Sequence, residues 1–166
     1  MNRPPSSYVP PQSPVGSPPE HRTAVEYIKS GDNLLAIIVS PDFAEPGVHF
    51  FTSVELSQQL AYMRHPVGKI IEPHIHAPVP REVKFTSEVL LIKRGKLRVD
   101  FYDDQAQYLE SKLLRGGDVI LLVGGGHGFE VLEEIEMVEV KQGPYAGDLD
   151  KRRFVGITSE RAKVTR

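Results

Sequence analysis

The chain has 166 residues, 40% of them hydrophobic, no cysteine and a net charge of −2. This length is one domain with room for a real core, the missing cysteine excludes a disulfide framework or thiol chemistry, and the small charge lacks the basic face that nucleic acid requires. No run approaches the ~18 apolar residues of a membrane-spanning helix and MNRPPSSYVPPQ has no apolar signal core, so a cytoplasmic protein without nucleic-acid or membrane partners is the expectation.

Residues 1–20 hold seven of the fourteen prolines and four serines. Such a composition buries too little apolar surface to offset the entropy of ordering, so residues 1–21 read as a disordered or polyproline-like arm. Thr23 and Glu26 form a capping-box pattern with Gly31 as the stop, which predicts a short helix over 24–29. The Val25, Tyr27 pair suits a strand equally well. Asn33–Val39 is a compact apolar run between turn signals and reads as a buried strand. Short strands are expected over 48–52, with His49, and over 60–64, with Tyr62. Lys69–His76 reads as a strand on which Ile70, Glu72, His74 and His76 share a face, because side chains at i and i+2 point the same way.

Residues 77–87 read as a loop whose Arg81 and Lys84 suit a carboxylate or phosphate. A hairpin is expected from 88–93 and 96–103 about Arg94-Gly95, then strands over 107–114 and 118–123. Gly124-Gly125-Gly126 lets the backbone pass close to a neighbour before His127. Glu133-Glu134 reads as a turn before a strand over 135–142, and Phe154, Val155 and Ile157 as one further strand before a solvated tail. Short strands with regular turns point to an all-β sandwich or barrel.

Two stretches carry chemistry. GKIIEPHIHAPVPREVKFTSEVLLIKRG (68–95) places Gly68 six positions before His74, then His76, Glu88 and, after six residues, Gly95. GGDVILLVGGGH (116–127) places Gly116, Leu122, Gly124 and His127 in a second pattern. Together they resemble the paired motifs of the cupin superfamily. The gap from His76 to Glu88 exceeds the family's usual three or four residues, and Glu82 offers a shorter spacing. Leu122 stands at the motif proline, and Val131 where many members carry asparagine.

The resemblance implies a cupin double-stranded β-helix, or jelly-roll barrel, over 22–142, with 143–166 as a C-terminal extension. It implies one divalent metal held by His74, His76, Glu88 and His127, and a homodimer. Imidazole and carboxylate ligands suit iron, manganese, nickel or zinc without choosing among them. Gln142-Gly143-Pro144-Tyr145 is loosely similar to the end of small cupins associated with surface-polysaccharide synthesis. The expected function is a metal-dependent enzyme on a small polar or anionic molecule, of dioxygenase or sugar-isomerase type. Glu72 or Tyr62 would move a proton and Arg81 or Lys84 would bind substrate. A non-catalytic ligand-binding or sensor protein is the alternative.

Overall fold

The structure, a computed structural model, describes residues 23–144 and 147–165. The arm expected over residues 1–21 and Tyr145 of the Gln142–Tyr145 signature lie outside the described residues. The described chain is all-β: β1 (Val25–Ser30), β2 (Asn33–Val39), β3 (Gly47–Phe50), β4 (Ala61–Arg64), β5 (Glu88–Tyr102), β6 (Tyr108–Arg115), β7 (Val119–Leu122), β8 (Gly126–Lys141) and β9 (Val164–Thr165), with one 3-10 turn at Gly147–Asp150. Seven strands form one curled sheet in the order β1-β2-β7-β5-β6-β9, with β8 paired to β5, while β3 and β4 form a separate two-stranded sheet.

β2 explains its own sequence. Ala36 and Ile38 face the main core with Ile120, Leu90, Leu97, Val99 and Phe101. Ile37 and Val39 face a second cluster with Val89 and Leu121. A strand buried on both faces reads as a continuous apolar run rather than an alternation. The expected helix over 24–29 is replaced by strand: β1 pairs antiparallel with β2 from Val25↔Val39 to Ser30↔Asn33. A strand edge on an apolar neighbour outweighs a six-residue helix that has no stabilising length of its own.

The larger correction concerns β5 and β8. Neither the hairpin about Gly95 nor the turn at Glu133-Glu134 forms. Instead two long strands run side by side from Glu88↔Lys141 to Tyr102↔Gly126, with register shifts between Ile92 and Leu97. β7 pairs only the first part of β5, at 88–91, and β6 only the last part, from Lys96 onward. The long ribbon therefore bends at the bulges, as bulges make strands do, and the sheet curls into half a barrel.

Gly95 sits at the bend with φ +92°, and a Cβ there would collide with the carbonyl of Glu134. Since the obstacle is backbone and cannot swing aside, Gly95→Ala is expected to cost about 2 kcal/mol or more. Urea unfolding should show it as a lower midpoint at unchanged slope; an unaltered midpoint would contradict the bend.

Two further expectations are corrected. No strand or helix lies between Arg64 and Glu88, so the strand expected over 69–76 does not form. Pro66, Pro73, Pro78 and Pro80 lack the N–H that a ladder needs. Residues 154–157 are irregular, and the last strand is β9, in the expected tail, parallel to β6 through Ser111↔Val164. The segment 154–163 is nonetheless bound to the sheet. Phe154 stacks edge-on against Tyr102 at 4.9 Å, the Ile157 N–H donates to the Tyr102 hydroxyl at 2.8 Å, and the Lys163 N–H donates to the Tyr108 hydroxyl at 2.6 Å.

Candidate functional site

Glu88 opens β5 opposite Leu122 of β7 and Lys141 of β8. Side chains alternate along a strand, so Glu88 shares its face with Leu90 and Ile92 of the main core. His127 lies opposite Phe101, another core residue, and so faces inward too. The curl of the sheet brings these separated positions together. Glu88 is 5% exposed, and its carboxylate lies 3.2 Å from His127 Nε2 and 3.0 Å from Lys141 Nζ.

The polar chain continues. Lys141 Nζ also meets Asp150 at 3.1 Å, and Asp150 accepts a 2.6 Å hydrogen bond from the Thr86 hydroxyl. Lys151 Nζ stands 4.0 Å from Glu88. A buried carboxylate is costly unless paired and hydrogen-bonded, and Glu88 is both. The hydrogen bond with His127, reinforced by Lys141, holds its pKa at about 2 against an ordinary 4.5, over the opposing effect of burial. Glu88 raises the pKa of Lys141, with Asp150 adding to it. Asp150 is lowered by Thr86 and then by Lys141.

His127 reaches this position because β7 ends at Leu122, two positions before the glycine run. Gly125 has φ +66°, and a Cβ there would stand 2.5 Å from the Tyr102 carbonyl and 2.8 Å from Leu35. Only glycine passes through that gap, and the turn delivers His127 back over Glu88. The group forms part of the wall of a cavity of about 1260 Å³, bounded also by Leu35, Lys84, Tyr102, Arg152 and Phe154. Its lining mixes acidic and basic side chains, which suits a polar occupant with several hydrogen-bonding groups.

The expected site residues divide into separate places. Glu88 and His127 meet in the cavity. His74 and His76 lie together on the exposed 65–85 segment, their rings 5.1 Å apart at 82°, with His74 Nδ1 3.0 Å from the Glu72 carbonyl. Among the described residues no group of three or more His, Asp or Glu side chains converges on a shared metal position. Glu72 is exposed on the same segment. Tyr62 stacks on Phe43 at 5.0 Å in the β3–β4 sheet; neither it nor Glu72 lines the cavity. Arg81 lines a separate shallow depression with Val54, Leu56 and Gln59. Lys84 lines the main cavity and pairs with Glu82 at 3.9 Å.

Lys141, Asp150 and Lys151 are site residues that reading the sequence did not find. Lys141 is legible only through its register with Glu88, and the turn expected at Glu133-Glu134 broke the strand that sets that register. Compared with known protein families, with curated proteins and with solved structures, the chain matches none.

Proposed function

We propose that the chain binds a small polar molecule in the cavity between β2, β5 and β8 and that His127, held by Glu88, is the proton-transferring group of the site. The observation that carries this reading is the buried Glu88 carboxylate fixed between His127 at 3.2 Å and Lys141 at 3.0 Å on the cavity wall. An anionic partner on one ring nitrogen orients the ring and sets its tautomer, which leaves the other nitrogen to take and return a proton. Lys141 keeps Glu88 ionised and is itself kept charged, so it can polarise a ligand carbonyl or hydroxyl. This arrangement suits proton transfer next to a carbonyl, the chemistry of an isomerase or epimerase of small polar molecules. The cupin-type jelly roll remains the architecture we propose for the curled sheet, supported by the two glycine–histidine patterns and by the bent β5–β8 ribbon.

A second reading keeps the divalent metal. One observation favours it: the contact of His74 Nδ1 with the Glu72 carbonyl would fix that ring with Nε2 bare, as second-shell bonds do for metal ligands. As the described residues stand, the four ligands fall into two pairs, Glu88 with His127 and His74 with His76. The set does not fit one ion unless the 65–87 segment is laid along the cavity. The group therefore enters no step here.

Calorimetric titration with zinc, nickel, manganese and iron(II), alongside a panel of small sugars, sugar phosphates and hydroxy acids, separates the readings. Ligand binding that is lost in His127→Ala but kept in His76→Ala supports the cavity site without metal. Metal binding near one equivalent that is lost equally in both variants supports the four-ligand centre. Ligand binding unchanged in His127→Ala would overturn the assignment of the cavity.

A further inference from the structure

Lys141 stands between two carboxylates, its Nζ 3.0 Å from Glu88 Oε1 and 3.1 Å from Asp150 Oδ2. Each carboxylate has its other oxygen engaged. Glu88 Oε2 lies 3.2 Å from His127 Nε2, and Asp150 Oδ1 accepts from the Thr86 hydroxyl at 2.6 Å. Thr86, Asp150, Lys141, Glu88 and His127 thus form one continuous polar chain, and all five border the cavity. Its two ends come from distant parts of the sequence. Thr86 lies two residues before β5, whereas Asp150 closes the 3-10 turn that follows β8. The Thr86–Asp150 bond therefore clasps the chain entering β5 to the chain that has left β8.

A lysine ammonium is a compact charge on a flexible four-carbon stem, and fixing it works against its rotamer entropy. One carboxylate leaves such a stem free to swing about a single contact. A second carboxylate, itself aimed by a hydroxyl, removes that freedom. Lys151 is no substitute, since it is 54% exposed and stands 4.0 Å from Glu88. We propose that Asp150 is a positioning residue of the site: it acts through Lys141, holding the ammonium against Glu88 so that Glu88 keeps the His127 ring in one orientation, and Thr86 aims Asp150. The inference rests on the reading of His127 as the proton-transferring group, and it is tested without a ligand.

Nitrogen-15 NMR of the full chain, in cold and slightly acidic solution, reads the chain of contacts directly. The Lys141 ammonium, identified as the signal missing from Lys141→Arg, is expected to exchange slowly with water. The His127 ring nitrogens should show one tautomer, with the proton on Nε2 toward Glu88. Asp150→Asn keeps the shape and an acceptor for Thr86 but removes the charge. It should speed the Lys141 exchange about tenfold and mix the His127 tautomers. Thr86→Val should act in the same direction and add nothing to Asp150→Asn, while Thr86→Ser restores the wild-type signals. Tyr108→Phe is the control for mere fastening of the C-terminal segment, because it removes the hydroxyl that accepts from the Lys163 N–H at 2.6 Å. It should lower the unfolding midpoint and leave the Lys141 and His127 signals as they are. Slow Lys141 exchange or an unchanged His127 ring in Asp150→Asn overturns the proposal, and so does Tyr108→Phe reproducing both changes. Failure of the cavity reading looks different: these signals behave as expected, while ligand binding is unchanged in His127→Ala.

Discussion

Asp100→Ala is expected to destabilise the fold by about 3–5 kcal/mol, more than any other single side-chain truncation outside the apolar core. Arg98 and Asp100 lie two residues apart on β5 and so share a face, where both are almost fully buried. The guanidinium donates twice to the carboxylate, Nε to Oδ1 at 2.8 Å and Nη2 to Oδ2 at 3.0 Å. The hydroxyl of Ser111, fully buried on β6, donates to Oδ1 at 2.5 Å, and Glu130 of β8 ion-pairs with Arg98 from the other side. Truncating Asp100 leaves the guanidinium with Glu130 as its remaining carboxylate and Ser111 with the Tyr108 hydroxyl as its remaining partner.

The cost lies in the abandoned charge rather than in the pair's own attraction. A double variant, Arg98→Met with Asp100→Leu, should therefore lose much less than the single truncation. Urea unfolding at neutral pH measures both. A loss below about 1 kcal/mol for Asp100→Ala would show that the pair is solvated and the strand face open. Ser111 connects through Tyr108 to Lys163, so the C-terminal segment should loosen together with this network. Faster amide exchange at residues 157–165 in Asp100→Ala would report that.

Glu88→Gln should remove stability on the order of 3 kcal/mol at neutral pH and flatten the acid limb of the stability profile. The folded pKa of Glu88, about 2, lies below its ordinary 4.5. The unfolded chain therefore binds the proton more readily. The contribution is complete above about pH 4.5 and is lost as pH falls toward about 2. Wild type should lose stability steeply through that window. The variant should follow the remaining carboxylates, Asp150 among them, whose pKa is also lowered. The difference between the two curves isolates Glu88. Parallel curves between pH 5 and 2 would mean that His127 and Lys141 do not grip the carboxylate in solution. The same substitution should weaken any ligand that depends on the orientation of the His127 ring, and the two readouts are independent.

Glu88 and His127 were singled out only as two of the four metal ligands that the cupin resemblance implies, and the structure brings these two together while His74 and His76 lie on a separate segment. Gly95 lies at the bend that turns the ribbon, and Gly125 in the gap that only glycine can pass. Lys141 and Asp150 were not legible. Both come from the chain after β8 starts, and no local pattern states which strand lies beside which. Tyr62 and Glu72 were chosen for chemical type and parity alone, and the structure puts neither on the cavity wall.

The sequence by itself determined that the chain is all-β and where its buried strands β2 and β7 run. These follow from side-chain period, apolar runs and φ preferences, which act over a few residues. Tertiary structure decided that β5 and β8 run unbroken through their expected turns, that residues 25–30 extend rather than coil, and that the motif histidines separate into a half-buried one and an exposed pair. Those outcomes depend on which edges find partners. A glycine or a glutamate pair that would turn an isolated chain is carried through as a bulge when thirteen cross-strand pairings hold the ribbon on either side of it.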